Sequence, residues 1–306
     1  MSARWRRRLL WPLVVALGAG AEANARWTSP AFDARGVVAG HALVGPVDSP
    51  TAAAWLEGRP LPPSLVALRT QWTSRNAVPT REELGRVARH HSPDVATLLF
   101  LEAVEARPEA RRFRARFERE LAVVRRHGPA HDPPRFDDVE VVVVPGWFHE
   151  AFGAETGADL ASQRRVLESL GVSTRFVAVD ENGTVEANAR QVADALRAIP
   201  HDRRVVIVSA SKGGPEVARA LGRELAPSEV SHVRAWLSIG GVLRGTPFAD
   251  RVFLPDLCWL AQARLAWDGF DLEGARSVRT SRRRADFDTL TLPPHVHVVA
   301  FVPVPL

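Results

Sequence analysis

The sequence predicts an α/β fold for residues 136–306, a mostly parallel sheet covered by helices, preceded by a helical N-terminal region. Three observations carry this reading. Short apolar, β-rich runs recur at VEVVVVP (139–145), TRFVAVD (174–180), VVIVS (205–209), VRAWLSIG (233–240) and HVHVVAFVP (295–303). Helix-like stretches such as DLASQRRVLESLG and VEANARQVADALRAI separate the first four, which is the alternation of a parallel sheet buried on both faces. Upstream, TREELGRVARHH (80–91), DVATLLFLEAVEA (94–106) and EARRFRARFERELAVVRRHG (109–128) carry apolar residues at three- and four-residue spacing with Arg and Glu between them.

Taken in order, the chain starts with a basic segment (Arg4, Arg6, Arg7, Arg8), an apolar stretch from Leu9 to about Ala21, and Ala23-Asn24-Ala25 in the small-x-small pattern of a cleavage site. The stretch contains Pro12 and is shorter than the roughly 20 residues that span a bilayer. It reads as a signal peptide over 1–25, cleaved after Ala25, for a protein exported to the periplasm or the medium. Residues 26–50, rich in Gly, Pro and Ala, read as an irregular lead-in. Thr80 followed by Glu83 is a capping-box pattern, Pro93 and Pro108 suit helix starts, and Gly128 suits a stop. His90 and His91 are adjacent on a helix and point in different directions, so they read as solvated or capping residues rather than metal ligands. PAHDPPRFDD (129–138) marks a linker. The expected domains are therefore the signal peptide 1–25, a helical region with its linker over 26–135, and the sheet domain over 136–306.

Composition narrows the function classes. The 306 residues are 46% hydrophobic, enough for a substantial core. Lys+Arg number 40 against 35 Asp+Glu, but the acidic residues are interspersed and neither RNP-type nor zinc-finger spacings occur, which argues against a nucleic-acid partner. Lys212 is the only lysine and there is no Tyr, so Arg-for-Lys usage is a chain-wide bias. The single cysteine, Cys258, reads as a core residue and leaves no intramolecular disulfide. No cofactor is expected, since G-x-x-x-x-G-K-[ST] is absent and the pair His295-x-His297 lacks a third metal ligand.

The chemistry concentrates in VVIVSASKGGPEVARAL (205–221). A sharp strand-to-helix turn needs small residues two positions before and after its centre, and Ser209, Ser211 and Gly213 give S-x-S-x-G, departing from G-x-S-x-G at the first position only. That pattern makes Ser211 a candidate nucleophile. A tetrahedral oxyanion needs two backbone N–H donors. Lys212, the residue after Ser211, supplies one. The loop Pro145-Gly146-Trp147-Phe148-His149 supplies the other, from Trp147 or Phe148, with Gly146 allowing close approach. An S-x-x-K acylating site at Ser209–Lys212 is excluded, because its K-T-G partner cannot exist in a chain with one lysine.

These loops resemble those of the α/β-hydrolase fold, specifically bacterial lipases and esterases with a strand-Pro-Gly-aromatic loop and an S-K-G-G elbow. The resemblance spans roughly residues 136–250 and includes LGVSTRFVAVDENGTVEANA (170–189) and IGGVLRGTPFAD (239–250). It implies an α/β-hydrolase-like sheet, Ser211 as nucleophile, and the Trp147 and Lys212 amides as the oxyanion hole. It also implies a candidate lid over 249–292, which holds Phe253, Trp259, Trp267 and Phe270. The family order of Ser, then Asp/Glu, then His puts the last two after late strands. The expectation is that the given chain is C-terminally incomplete and that the catalytic acid and His lie outside it. Within the chain, His149, His295 and His297 are the alternatives as base, and Asp250 and Asp256 as acid. The implied function is an exported serine hydrolase cleaving carboxylic esters through an acyl-enzyme at Ser211. Its partner would be a small-molecule or lipid ester, with a lipid surface as a further candidate. The alternative is a non-catalytic relative serving as a binding or scaffold module.

Overall fold

The computed structural model describes residues 31–75, 77–128, 136–253, 258–267 and 270–302, which fall into two compact units divided near residue 131. The expected signal peptide lies outside the described residues. Most of the stretch expected to be an irregular lead-in is an antiparallel hairpin of β1 (Phe32–Val38) and β2 (His41–Val47). Ala39 and Gly40 form its two-residue turn with φ of 51° and 85°, the left-handed pair such a hairpin needs. Gly36, Gly45 and Pro46 dilute the apolar alternation that would have revealed the strands. Gly36 is there for packing, since a Cβ on it would fall 1.6 Å from the Leu56 carbonyl oxygen.

Five helices follow: α1 (Pro50–Leu56), α2 (Pro63–Ser74), α3 (Arg81–His90), α4 (Pro93–Glu105) and α5 (Pro108–His127). The start signals act as their chemistry dictates. Ser49 and Ser92 accept from the Ala52 and Val95 amides, and Thr80 and Glu83 form a reciprocal capping box. Trp55, Leu56, Leu65, Trp72, Leu98 and Leu99 fill the core of this unit. The buried carboxylate of Glu102 is satisfied there by the Trp55 indole N–H (3.1 Å) and the Arg69 guanidinium.

Two hydrogen bonds from Arg75, each 2.7 Å, and one from the Thr80 amide hold the Glu83 carboxyl at about 2, well below its ordinary 4.5. A carboxyl lowered by folding stabilises the fold above its unfolded value and loses that contribution as pH falls towards its folded one. The unit should therefore lose stability between about pH 4.5 and 2, and Glu83→Gln should flatten that part of a melting-temperature profile.

The second unit contains β3 (Val139–Val144), α6 (Gly153–Thr156), α7 (Ala161–Ser169), β4 (Ser173–Phe176), α8 (Val185–Arg197), β5 (Arg204–Ala210) and α9 (Gly213–Arg219). A π turn over Ala220–Glu224 continues α9. Then come β6 (Val233–Ile239), α10 (Pro247–Val252), α11 (Cys258–Trp267), α12 (Leu272–Ser277), α13 (Thr280–Phe287) and β7 (His297–Phe301). The five strands stand in the order β4-β3-β5-β6-β7, every neighbouring pair parallel. This is the expected fold class, a parallel sheet with helices. Every residue of β3 is buried, Glu140 among its valines included, as befits a central strand. Val142, Val144, Leu196, Ile207, Leu221 and Trp236 belong to the principal core.

The chain moves from β3 outward to β4 on one edge, then returns beside β3 and runs through β5, β6 and β7 to the other edge. The strand order thus reverses between β3 and β5. In open parallel sheets the crevice beyond the carboxyl ends of the strands at such a reversal is where ligands bind.

Candidate active site

Both motifs singled out in the sequence meet at that reversal. β3 ends in Pro145-Gly146-Trp147 and β5 ends in Ser211, with Val144 and Ser209 paired in the ladder. A Cβ on Gly146 would lie 3.3 Å from the Ser211 Cβ, and one on Gly213 only 2.6 Å from the Pro145 carbonyl oxygen. The two loops are therefore in van der Waals contact, and Gly213 is required by that contact.

Ser211 has φ of 47°, a left-handed conformation that costs a non-glycine residue roughly 1–2 kcal/mol. The turn is clamped: the Ser211 amide donates to Ile239 O (3.0 Å), and its carbonyl accepts from Gly214 (3.0 Å) and Val242 (3.2 Å). Ser211 is exposed between buried Ala210 and Lys212, and among the described residues its Oγ has no hydrogen-bond partner. Ser209 is different. It is fully buried, and its Oγ accepts from the Trp236 indole at 2.8 Å, tying β5 to β6.

The amides of Trp147 and Lys212 donate to no acceptor among the described residues, which leaves both available beside Ser211. Phe148, with φ of 62°, stacks on Trp147 (4.5 Å between ring centres) and meets Phe270 edge-on (4.8 Å). Trp147 packs against Val185, Ala249 and Val278. The loop thus carries an apolar aromatic wall.

Side chains that sequence reasoning missed hold both loops. The Glu181 carboxylate accepts from the Glu150 and Ala151 amides (2.9 and 3.1 Å), pinning the far side of the Trp147 loop. Lys212 Nζ donates to Glu216 Oε1 at 2.6 Å, one helical turn on, and both side chains are buried. Asn188 Nδ2 donates to that same oxygen (2.8 Å) and to the Asp180 carbonyl (2.8 Å). Burial pushes the Glu216 carboxyl up, against the opposing pull of the Lys212 ammonium. The i,i+4 spacing of the sole lysine and Glu216 was a legible signal. Glu181 and Asn188 left none.

No candidate acid–base pair is brought to Ser211. His149 is buried, with Nδ1 on the Gly146 carbonyl (3.1 Å) and Nε2 3.8 Å from the Glu150 carboxylate. His295 and His297, weighed as bases, stand at the wrong end of the sheet. His297 pairs with Ala235 near the start of β6, and His295 Nε2 bonds the Val230 carbonyl (2.9 Å). Ser211 follows the carboxyl end of β5, and at about 3.3 Å per residue the length of β7 alone separates the two ends by about 13 Å. Asp250 accepts from the Thr280 amide and hydroxyl (3.0 and 2.6 Å), fastening α10 to the start of α13. Asp256 lies outside the described residues. Among the described residues no group of three His, Cys, Asp or Glu could hold a metal. His90 and His91 are exposed, beside an open cavity of about 630 Å³ in the first unit.

No family model matches this sequence, and no curated protein matches it. Solved structures similar to it include esterases and a lipase. A metagenomic carboxyl esterase is similar at 22% identity and a TM-score of 0.44, over 54% of this chain and 49% of that one. The mature form of a Bacillus licheniformis lipase is similar at 21% identity and a TM-score of 0.43, over 56% of this chain and 68% of that one. An acetyl xylan esterase follows at 17% identity and a TM-score of 0.30, over 35% and 64%. The likeness thus covers about half of the metagenomic esterase. At these values the functional reading rests on the geometry of the site itself.

Proposed function

We propose that this protein is an exported serine hydrolase that cleaves carboxylic esters of small molecules or lipids through an acyl-enzyme at Ser211. The observation that carries the reading is the exposed, left-handed Ser211 at the β3/β5 reversal, in contact with the Gly146 loop. In the proposed reaction Ser211 Oγ attacks the ester carbonyl while its proton passes to a base. The oxyanion takes hydrogen bonds from the Trp147 and Lys212 amides, collapse expels the alcohol, and water then releases the acid. Trp147, Phe148 and Phe270 would line the acyl side, and the helices within 249–292 would form the lid. Export is supported by the Arg-rich start, the apolar run and Ala23-Asn24-Ala25. Among the described residues no helix is long and apolar enough to cross a membrane.

One observation favours a second reading. No acid–histidine pair stands beside Ser211 among the described residues, as befits a binding or scaffold module that keeps the fold without turnover.

The variant Ser211→Gly separates the two. Glycine adopts φ of 47° without the steric cost, so the variant should be more stable by about 1 kcal/mol in denaturant unfolding. A hydrolase should at the same time lose its turnover of p-nitrophenyl butyrate. A turn that serves only the fold would gain the stability with no change in whatever hydrolysis the protein shows.

A further inference from the structure

Helices α2 and α3 both pack against α4, and the cavity of about 630 Å³ opens between them. That volume falls within the roughly 300–1,000 Å³ of small-molecule sites. Its floor is apolar. Trp72 and Val87 are 3% and 6% exposed, and Leu68 is half-buried beside them. Arg75 closes one end as a strut: its guanidinium lies over the Trp72 ring (5.3 Å) and forks onto both oxygens of Glu83, joining the end of α2 to the start of α3.

The remaining wall carries nitrogen donors. Arg86 and His90 follow Glu83 on one face of α3, at i+3 and i+7, and border the cavity. His91 joins them. Neighbouring residues inside a helix diverge by about 100°, but His91 caps α3 with φ of −122° and ψ of −82°, and that break lets both imidazoles border one space. Among the described residues Arg86, His90 and His91 have no hydrogen-bond or ion-pair partner.

The acids nearby do not cancel them. Glu83 is the one carboxylate in the described lining, and its oxygens are already taken by Arg75 and the Thr80 amide. Glu82 lies outside the lining, on the face of α3 that also carries Arg89, and α2 contains no acidic residue. The cavity therefore presents one uncompensated guanidinium and two imidazoles above an apolar floor. A carboxylate with a small apolar body matches both parts, because its two oxygens accept the paired N–H groups of an arginine in one plane.

We propose that this cavity binds a small organic carboxylate, its apolar body over Trp72 and Val87 and its oxygens on Arg86 beside His90 and His91. The proposal does not rest on the hydrolase reading, and its test involves no turnover. The probe is p-fluorobenzoate, titrated against the full chain and followed by fluorine NMR line broadening, with p-fluorobenzamide as its uncharged isostere. A dissociation constant on the order of 1 mM is expected for a probe of this size.

The amide should bind about tenfold more weakly, because it forfeits the charge-assisted hydrogen bonds, and Arg86→Gln should weaken the benzoate by about the same factor. Gln71→Trp, at an exposed position in the wall, should fill the space and abolish binding. Both positions are exposed, so the melting temperature should be unchanged in each variant. Equal affinity for the acid and the amide, binding unchanged in either variant, or no broadening at ten times the expected dissociation constant would overturn the proposal.

Discussion

Ester hydrolysis by the 306-residue chain is expected to be weak, and to fall only modestly further with Ser211→Ala. A serine hydroxyl is almost wholly protonated at neutral pH and needs a base to become an effective nucleophile. None of His149, His295 or His297 is placed to serve as one: the first bonds its own loop, and the others stand at the amino end of the sheet. The free amides of Trp147 and Lys212 and the aromatic wall remain, and they can act without a base. In serine hydrolases that have lost a member of the triad, such remnants sustain on the order of 10³–10⁴-fold acceleration over water. Turnover of p-nitrophenyl esters in that range is the predicted pattern, kept by Ser209→Ala and lowered by Ser211→Ala only by the share that passes through the unassisted hydroxyl. Robust turnover would show that a base within the chain reaches Ser211.

Lys212→Met is expected to be the most damaging single change to stability. It would leave the Glu216 carboxylate buried with only the Asn188 amide as partner, and stranding one member of a buried ion pair costs about 3–5 kcal/mol. The double variant Lys212→Met/Glu216→Leu removes both charges and keeps most of the volume. It should recover most of that loss, because apolar replacements of buried pairs are often neutral. Denaturant unfolding of the two single variants and the double one completes the cycle. Simple additivity of the single losses would mean that the 2.6 Å contact contributes no coupling.

What was legible in the sequence was what local chemistry determines. Strands β3 and β5 announce themselves through runs of valine and isoleucine, β6 through its alternating Val233, Ala235, Leu237 and Ile239, and α3, α4 and α5 through apolar spacing and their capping signals. The elbow was legible because its small residues must sit at fixed offsets from Ser211. The hairpin β1–β2 was not, because Gly36 answers to the Leu56 carbonyl, which lies 20 residues further along the chain. The same reason hid Glu181 and Asn188, whose partners are the amides of residues 150 and 151 and the Glu216 carboxylate. Side chains that position a loop from a distant segment leave no periodicity to find. The reversal of strand order between β3 and β5, which brings the Gly146 loop to Ser211, likewise follows from the topology of the whole sheet.

Covalent capture decides whether Ser211 is the nucleophile. The full chain is incubated with a fluorophosphonate, checked for its fold by circular dichroism, digested, and mapped by mass spectrometry. With no base at hand, slow labelling of Ser211 under excess reagent is expected, and none of Ser209, whose hydroxyl is buried against the Trp236 indole. Label on Ser209, or a folded protein that takes no label at Ser211 even on prolonged incubation with excess reagent, would contradict that assignment.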